Sequence, residues 1–138
     1  MSTTPTTVLD ASAVLAFLQA EPGQEAVADA LQNQRCVVTA ANQAEIIAKA
    51  LDRGHSMDSM QLILAELDYD VVDCTAADGL LAGALRTHTR SAGLSLGDRL
   101  CLAAALRLKA TVLTADRPWL ALADTLQLDI RCIRPETH

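Results

Sequence analysis

Aromatic residues are almost missing from this sequence: Phe17, Tyr69 and Trp119 are the only three. An aromatic core is therefore excluded, and a hydrophobic content of 51% must pack through Ala, Leu, Val and Ile. Ala- and Leu-rich stretches favour helices, while short β-branched runs favour buried strands. Long apolar runs are missing too. None approaches the roughly 18 residues needed to cross a bilayer, and no basic segment leads into a signal-type run, so a cytosolic protein is expected. No CxxC pair occurs among Cys36, Cys74, Cys101 and Cys132, which excludes a zinc knuckle. These cysteines are expected as buried, reduced thiols that pack as small hydrophobes. His55, His88 and His138 share no motif suited to zinc.

Positive charge is also scarce. A net charge of −6 argues against a broad, non-specific electrostatic grip on nucleic acid. Two features temper that exclusion. Nine of the eleven basic residues are arginine, the side chain suited to forked phosphate contacts. Acids gathered around divalent ions would also lose part of the excess.

What is present fits one domain of 138 residues, with no repeat, low-complexity tract or linker. Strand-like runs occur at residues 6–9, 36–39, 70–73, 111–114 and 130–133. Helical stretches are read at 11–20, 24–33, 41–53, 56–67, 75–90, 95–109 and 119–126. Strands joined through helices imply a mainly parallel sheet. Ligands of such sheets bind beyond the carboxyl ends of the strands. Four acids fall there: Asp10 after the first strand, Glu45 in the helix after the second, Asp98 opening the helix into the fourth, and Asp116 just after the fourth.

Each acid also has an ordinary explanation. Asp10 and Asp116 suit helix N-caps, and Glu45 precedes Lys49 at the spacing of a helical ion pair. Ser95-Leu-Gly-Asp98 reads as a capping box with Asp in place of Glu or Gln. At about 100° per residue, however, Arg99, Ala103 and Arg107 form one polar stripe, and Asp98 points roughly 140° from its middle, toward the core. An inward carboxylate without a basic partner calls for a cation. Thr75-Ala-Ala-Asp78 is a comparable capping pattern to which no catalytic role is assigned. Several carboxylates without a His or Cys constellation suit Mg²⁺ or Mn²⁺. Such ions activate water in phosphodiester cleavage. The side chains are expected to converge within shared metal-binding distance.

The pieces Val8-Leu-Asp-Ala-Ser12, Asn42-Gln-Ala-Glu45, Leu94-Ser-Leu-Gly-Asp98-Arg-Leu-Cys-Leu-Ala103 and Leu113-Thr-Ala-Asp116-Arg-Pro-Trp119 resemble PIN-domain nucleases, specifically VapC-type toxins of bacterial toxin–antitoxin pairs. The resemblance runs from about residue 6 to residue 133 and departs at none of the four acids. It implies a single PIN-like domain over residues 1–138, a three-layer α/β/α arrangement with strand order 3-2-1-4-5. It implies a Mg²⁺- or Mn²⁺-dependent endoribonuclease that inhibits translation by cutting RNA, often tRNA or rRNA. Asp10 and Asp98 would be the principal metal ligands, completed by Glu45 and Asp116, with Ser12 and Thr114 in support. A homodimer held by a VapB-like antitoxin is implied as well. The helical stripe Met57, Met60, Leu64 and Leu67 reads as core, or as part of the groove where that antitoxin lies. Arg86, Arg90, Arg99 and Arg117 are candidates for gripping RNA phosphates.

Two other readings compete. A haloacid dehalogenase-like phosphatase would carry Asp-x-Asp after the first strand, whereas position 12 here is Ser12. A non-catalytic PIN-like binding module would be favoured by loss of one acid, and all four are present.

Overall fold

The computed structural model describes residues 5–135. Five short runs, each with at least one β-branched residue, form one sheet: β1 (Thr6–Leu9), β2 (Arg35–Thr39), β3 (Tyr69–Val72), β4 (Thr111–Thr114) and β5 (Ile130–Cys132). All four pairings are parallel, and the order is β3-β2-β1-β4-β5. β1 therefore lies at the centre, with Leu9 opposite Leu113 of β4. Helices α1 (Ala11–Leu18), α2 (Gln24–Asn33), α3 (Ala40–Asp52), α4 (Met57–Ala65), α5 (Ala76–Ala84), α6 (Arg86–Thr89), α7 (Leu96–Leu108) and α8 (Ala123–Leu126) connect and cover the strands. None is long and apolar enough to cross a membrane.

Strand side chains alternate between the two faces. Leu9, Val38 and Leu113 join residues of α1 to α4 in one core cluster. Val8, Val37 and Val112 join Cys101, Leu102 and Trp119 in the other. This is the three-layer α/β/α arrangement with the expected strand order.

Four readings of the sequence need correction. The helix read over 75–90 is interrupted at Leu85, after which α6 and a short 3-10 turn follow. There the Thr87 and Thr89 hydroxyls donate to the carbonyls of Ala84 and Leu85, tightening the turn. The stretch from residue 119 is a 3-10 helix over Arg117–Leu122 leading into α8. The Arg99–Ala103–Arg107 stripe is partly covered, and only Arg107 stays exposed. Ala103 is fully buried, Arg99 Nη1 donates to Ala82 O at 2.9 Å, and Arg107 forks onto Asp78 at 2.9 and 3.0 Å. Helix α5 lies on that stripe, and polar residues had marked a helix–helix contact. Finally, Cys36 and Cys101 are buried as expected, but Cys74 is exposed and Cys132 half-buried.

Candidate active site

Asp10 leaves the end of β1 in extended conformation and caps α1, accepting the Ala13 N–H on Oδ1 at 2.8 Å. Its backbone N–H donates to Leu113 O, tying it to the end of β4. Two hydroxyls complete its surroundings. Thr114 Oγ1 donates to Oδ2 at 2.7 Å, and Ser12 Oγ lies 2.8 and 2.9 Å from the two carboxylate oxygens. Those hydroxyls are themselves fixed from behind, because Thr114 Oγ1 accepts the Asp116 N–H and Ser12 Oγ accepts the Ala115 N–H. The turn after β4 is thus bound to the end of β1 through one carboxylate. Asp10 is only 2% exposed and has no cation beside it among the described residues. Burial pushes its carboxyl from 3.8 up to about 6, opposed by the hydrogen bonds and assisted by the negative charge of Asp98.

Asp98 forms the predicted capping box: Ser95 Oγ accepts the Asp98 N–H, and Asp98 Oδ2 accepts the Ser95 N–H at 2.9 Å. Its Oδ1 has no hydrogen-bond partner among the described residues, and the side chain is half-buried. Thr75 and Asp78 form the same box, yet Asp78 then pairs with Arg107. That guanidinium holds the Asp78 carboxyl below its ordinary value. Two identical boxes are therefore separated by what faces them, a cation for Asp78 and other acids for Asp98.

Glu45 sits in the second turn of α3. It makes no ion pair with Lys49; its Oε1 instead accepts from Asn42 Nδ2 at 2.7 Å. Asp116 is exposed at the start of the 3-10 turn, where its side chain makes no capping bond. Trp119, fully buried, anchors that turn, and its backbone N–H donates to Asp116 O at 3.2 Å.

Buried Cys101 lies among the acids. Burial first, then the charges of Asp10, Asp98 and Glu45, push its thiol well above its ordinary value, so it stays protonated. Three of the four predicted acids thus bear electrostatically on one point behind the sheet edge. They do not stand ready as a coordination shell. Among the described residues, no three His, Cys, Asp or Glu side chains are placed to share an ion. Asp10 and Asp98 each accept a backbone N–H three residues away, and Glu45 accepts the side-chain amide of Asn42.

The predicted arginines divide. Arg86 and Arg90 are exposed. Arg117 is exposed and donates to Arg134 O, whereas Arg99 is turned onto α5. Residues given no role from sequence also reach the site: Asn42, fully buried beside Glu45, and Gly97, which packs against the Glu45 carboxylate. Asn42 stands three residues before Glu45, one helical turn, and that spacing was the available signal.

The sequence model of the PIN domain matches residues 7–124. No curated protein matches the chain. Solved structures share its fold. A toxin–antitoxin complex from Klebsiella pneumoniae superposes with a TM-score of 0.74 at 12% identity, covering 94% of this chain and 99% of that one. VapBC-1 from nontypeable Haemophilus influenzae gives 0.69 at 21% identity, with 93% and 98% covered. VapBC2 from Rickettsia felis, bound to a promoter DNA fragment, gives 0.69 at 17% identity, with 92% and 98% covered. With the match spanning all four acids and the sheet order the same as that expected of the family, the chain belongs to the PIN-domain family.

Proposed function

We propose that the protein is a Mg²⁺- or Mn²⁺-dependent endoribonuclease acting as the toxin of a VapBC-type pair. The observation that carries this reading is Asp10: a carboxylate buried at the end of the central strand, fixed by three donors, with Asp98 as its charged neighbour. Burying such a group without a cation is costly. The acids around it offer carboxylate oxygens, and the nearby Cys101 thiol stays protonated, a donor set that suits a hard divalent ion. Asp10 and Asp98 would hold it, with Glu45 and Asp116 completing the set. Bound there, the ion would supply Lewis acidity toward a phosphodiester and lower the pKa of a coordinated water.

The chain's own groups do the rest. Ser12 and Thr114 keep the Asp10 oxygens oriented, since each hydroxyl is held by a backbone N–H from the turn carrying Asp116. Exposed Arg86 and Arg90, with Arg117 at the edge, would take RNA phosphates and set the strand across the acids.

An antitoxin partner is supported by the toxin–antitoxin assemblies among the fold relatives. A groove of about 560 Å³ between α1, α3 and α4, lined by Leu15, Leu18, Ala50, Met60 and Ile63, offers it an apolar seat. Met57, one turn before Met60 on α4, is 44% exposed. The protein would act as a homodimer in the cytoplasm, where tRNA and rRNA are found.

Incubating the purified protein with total RNA and Mn²⁺ or Mg²⁺, beside an Asp98→Asn control, tests the reading. Metal-dependent cleavage lost in the variant is expected. Cleavage that survives the substitution sinks the site, and no cleavage with either ion favours a non-catalytic PIN-like binding module.

A further inference from the structure

Glu45 is held from two sides by groups with no evident structural need to be there. The first is Asn42. Its side chain is fully buried, and Nδ2 donates to Glu45 Oε1 at 2.7 Å and toward Gly97 O at 3.4 Å. Both neighbours are acceptors, so the NH₂ end of the amide must face them. Oδ1 is then left buried without a partner. Buried polar groups are normally satisfied. An amide that satisfies Glu45 while leaving its own oxygen unpaired serves the carboxylate at a cost to the fold.

The second is Gly97, in the first turn of α7 directly before Asp98. Its backbone is helical, so conformation does not call for glycine. Space does. A Cβ on Gly97 would lie 2.8 Å from Glu45 Cδ and nearer still to Oε1. The atoms met belong to the end of a flexible side chain, so a methyl group here would turn Glu45 aside and leave the helices in place. As alanine is the better helix former, Gly97→Ala separates helix stability from carboxylate placement.

We propose that Asn42 and Gly97 are positioning residues that seat the Glu45 carboxylate beside Asp98, making α3 and α7 contribute to one metal site. The inference rests on the metal reading of the acids. It adds that Glu45 is aimed by a donor from its own helix and by a missing methyl on the next.

The test is Mn²⁺ binding to the full chain by calorimetry, with thermal unfolding of each metal-free variant as a fold control. Outer-shell substitutions at metal sites typically weaken binding by about 10- to 100-fold. Gly97→Ala and Asn42→Ala should each show a loss of that order, and Gly97→Ala should melt no lower than the parent. Both losses should vanish in a Glu45→Ala background, because residues acting through one group are not additive. Equal losses with and without Glu45 would overturn the proposal, as would undiminished affinity in Gly97→Ala while Glu45→Ala binds weakly. Undiminished affinity in Glu45→Ala itself would remove Glu45 from the metal site, and this inference with it, leaving the roles of Asp10 and Asp98 to be judged by Asp98→Asn.

Discussion

Thr114 Oγ1 donates a 2.7 Å hydrogen bond to Asp10 Oδ2, joining residues 104 positions apart in the chain. The bond is possible because β1 and β4 are parallel neighbours in register, so their carboxyl ends emerge side by side. The same hydroxyl accepts the Asp116 N–H. One threonine therefore sets the state of a buried acid and the course of the turn that carries an exposed one.

Thr114→Val keeps the shape and removes the hydroxyl. The Thr114 bond lowers the Asp10 pKa, so its loss moves that pKa above about 6. At subsaturating metal, where proton and ion compete for Asp10, the acid limb of the pH–rate profile for RNA cleavage should shift upward, and Thr114→Ser should restore it. A charged-group hydrogen bond contributes about 1.5–3 kcal/mol, and a loss of stability of that order is expected at neutral pH. An acid limb identical to that of the parent would detach Thr114 from Asp10 function.

Asp10 itself should destabilise the metal-free protein. Its folded pKa, about 6, lies above its unfolded value of 3.8. The contribution to stability is fully present below the unfolded value and is lost as pH rises through the folded one. The rise corresponds to about 3 kcal/mol by pH 8. With chelator present, Asp10→Asn should outlast the parent at pH 8 and match it in acid, while losing cleavage and the stabilisation given by Mn²⁺. Melting curves that stay parallel across pH would contradict this.

Arg107 braces α7 against α5 through a forked bond to Asp78, whose side chain is 3% exposed. Arg107→Met strands that carboxylate, and a loss of about 2–3 kcal/mol is expected from removing a charged hydrogen-bonding partner. Because Arg107 lowers the Asp78 pKa, the pair stabilises above the ordinary carboxylate pKa and stops doing so as pH falls through the folded value. The gap between parent and variant, measured by urea unfolding, should therefore close in acid. A gap constant with pH would mean that packing, not charge, holds the two helices.

Arg86→Ala combined with Arg90→Ala should weaken RNA binding regardless of sequence. Each phosphate contact on a single strand adds about 0.7 to the slope of log affinity against log salt. The double variant, titrated with a labelled RNA at several salt concentrations, should lose about 1.4 from that slope. An unchanged slope would place the RNA elsewhere.

Much of this was legible in the sequence because it is local. Asp10, Ser95 with Asp98, and Thr75 with Asp78 announced their caps by spacing, and all of those caps form. Short β-branched runs marked the strands, while their order came from family likeness. What stayed hidden is tertiary. Arg99 and Arg107 read as a solvent stripe because a helix pattern cannot say that α5 will lie on it. Lys49 drew attention from Asn42 because charge is conspicuous and a buried amide is not. Gly97 read as an ordinary residue within a capping box, since the carboxylate it admits comes from another helix, about 50 residues earlier.

The parallel pairing of β1 with β4 has a kinetic consequence. A parallel partner so far away in the chain gives the central strand a high contact order, and the loop between must close before the contact stabilises anything. Asp10 can cap α1 early, as that bond spans three residues, but it meets Thr114 only when β4 docks. The site should thus be gained in one late step of refolding, after helix formation, and lost together with the sheet.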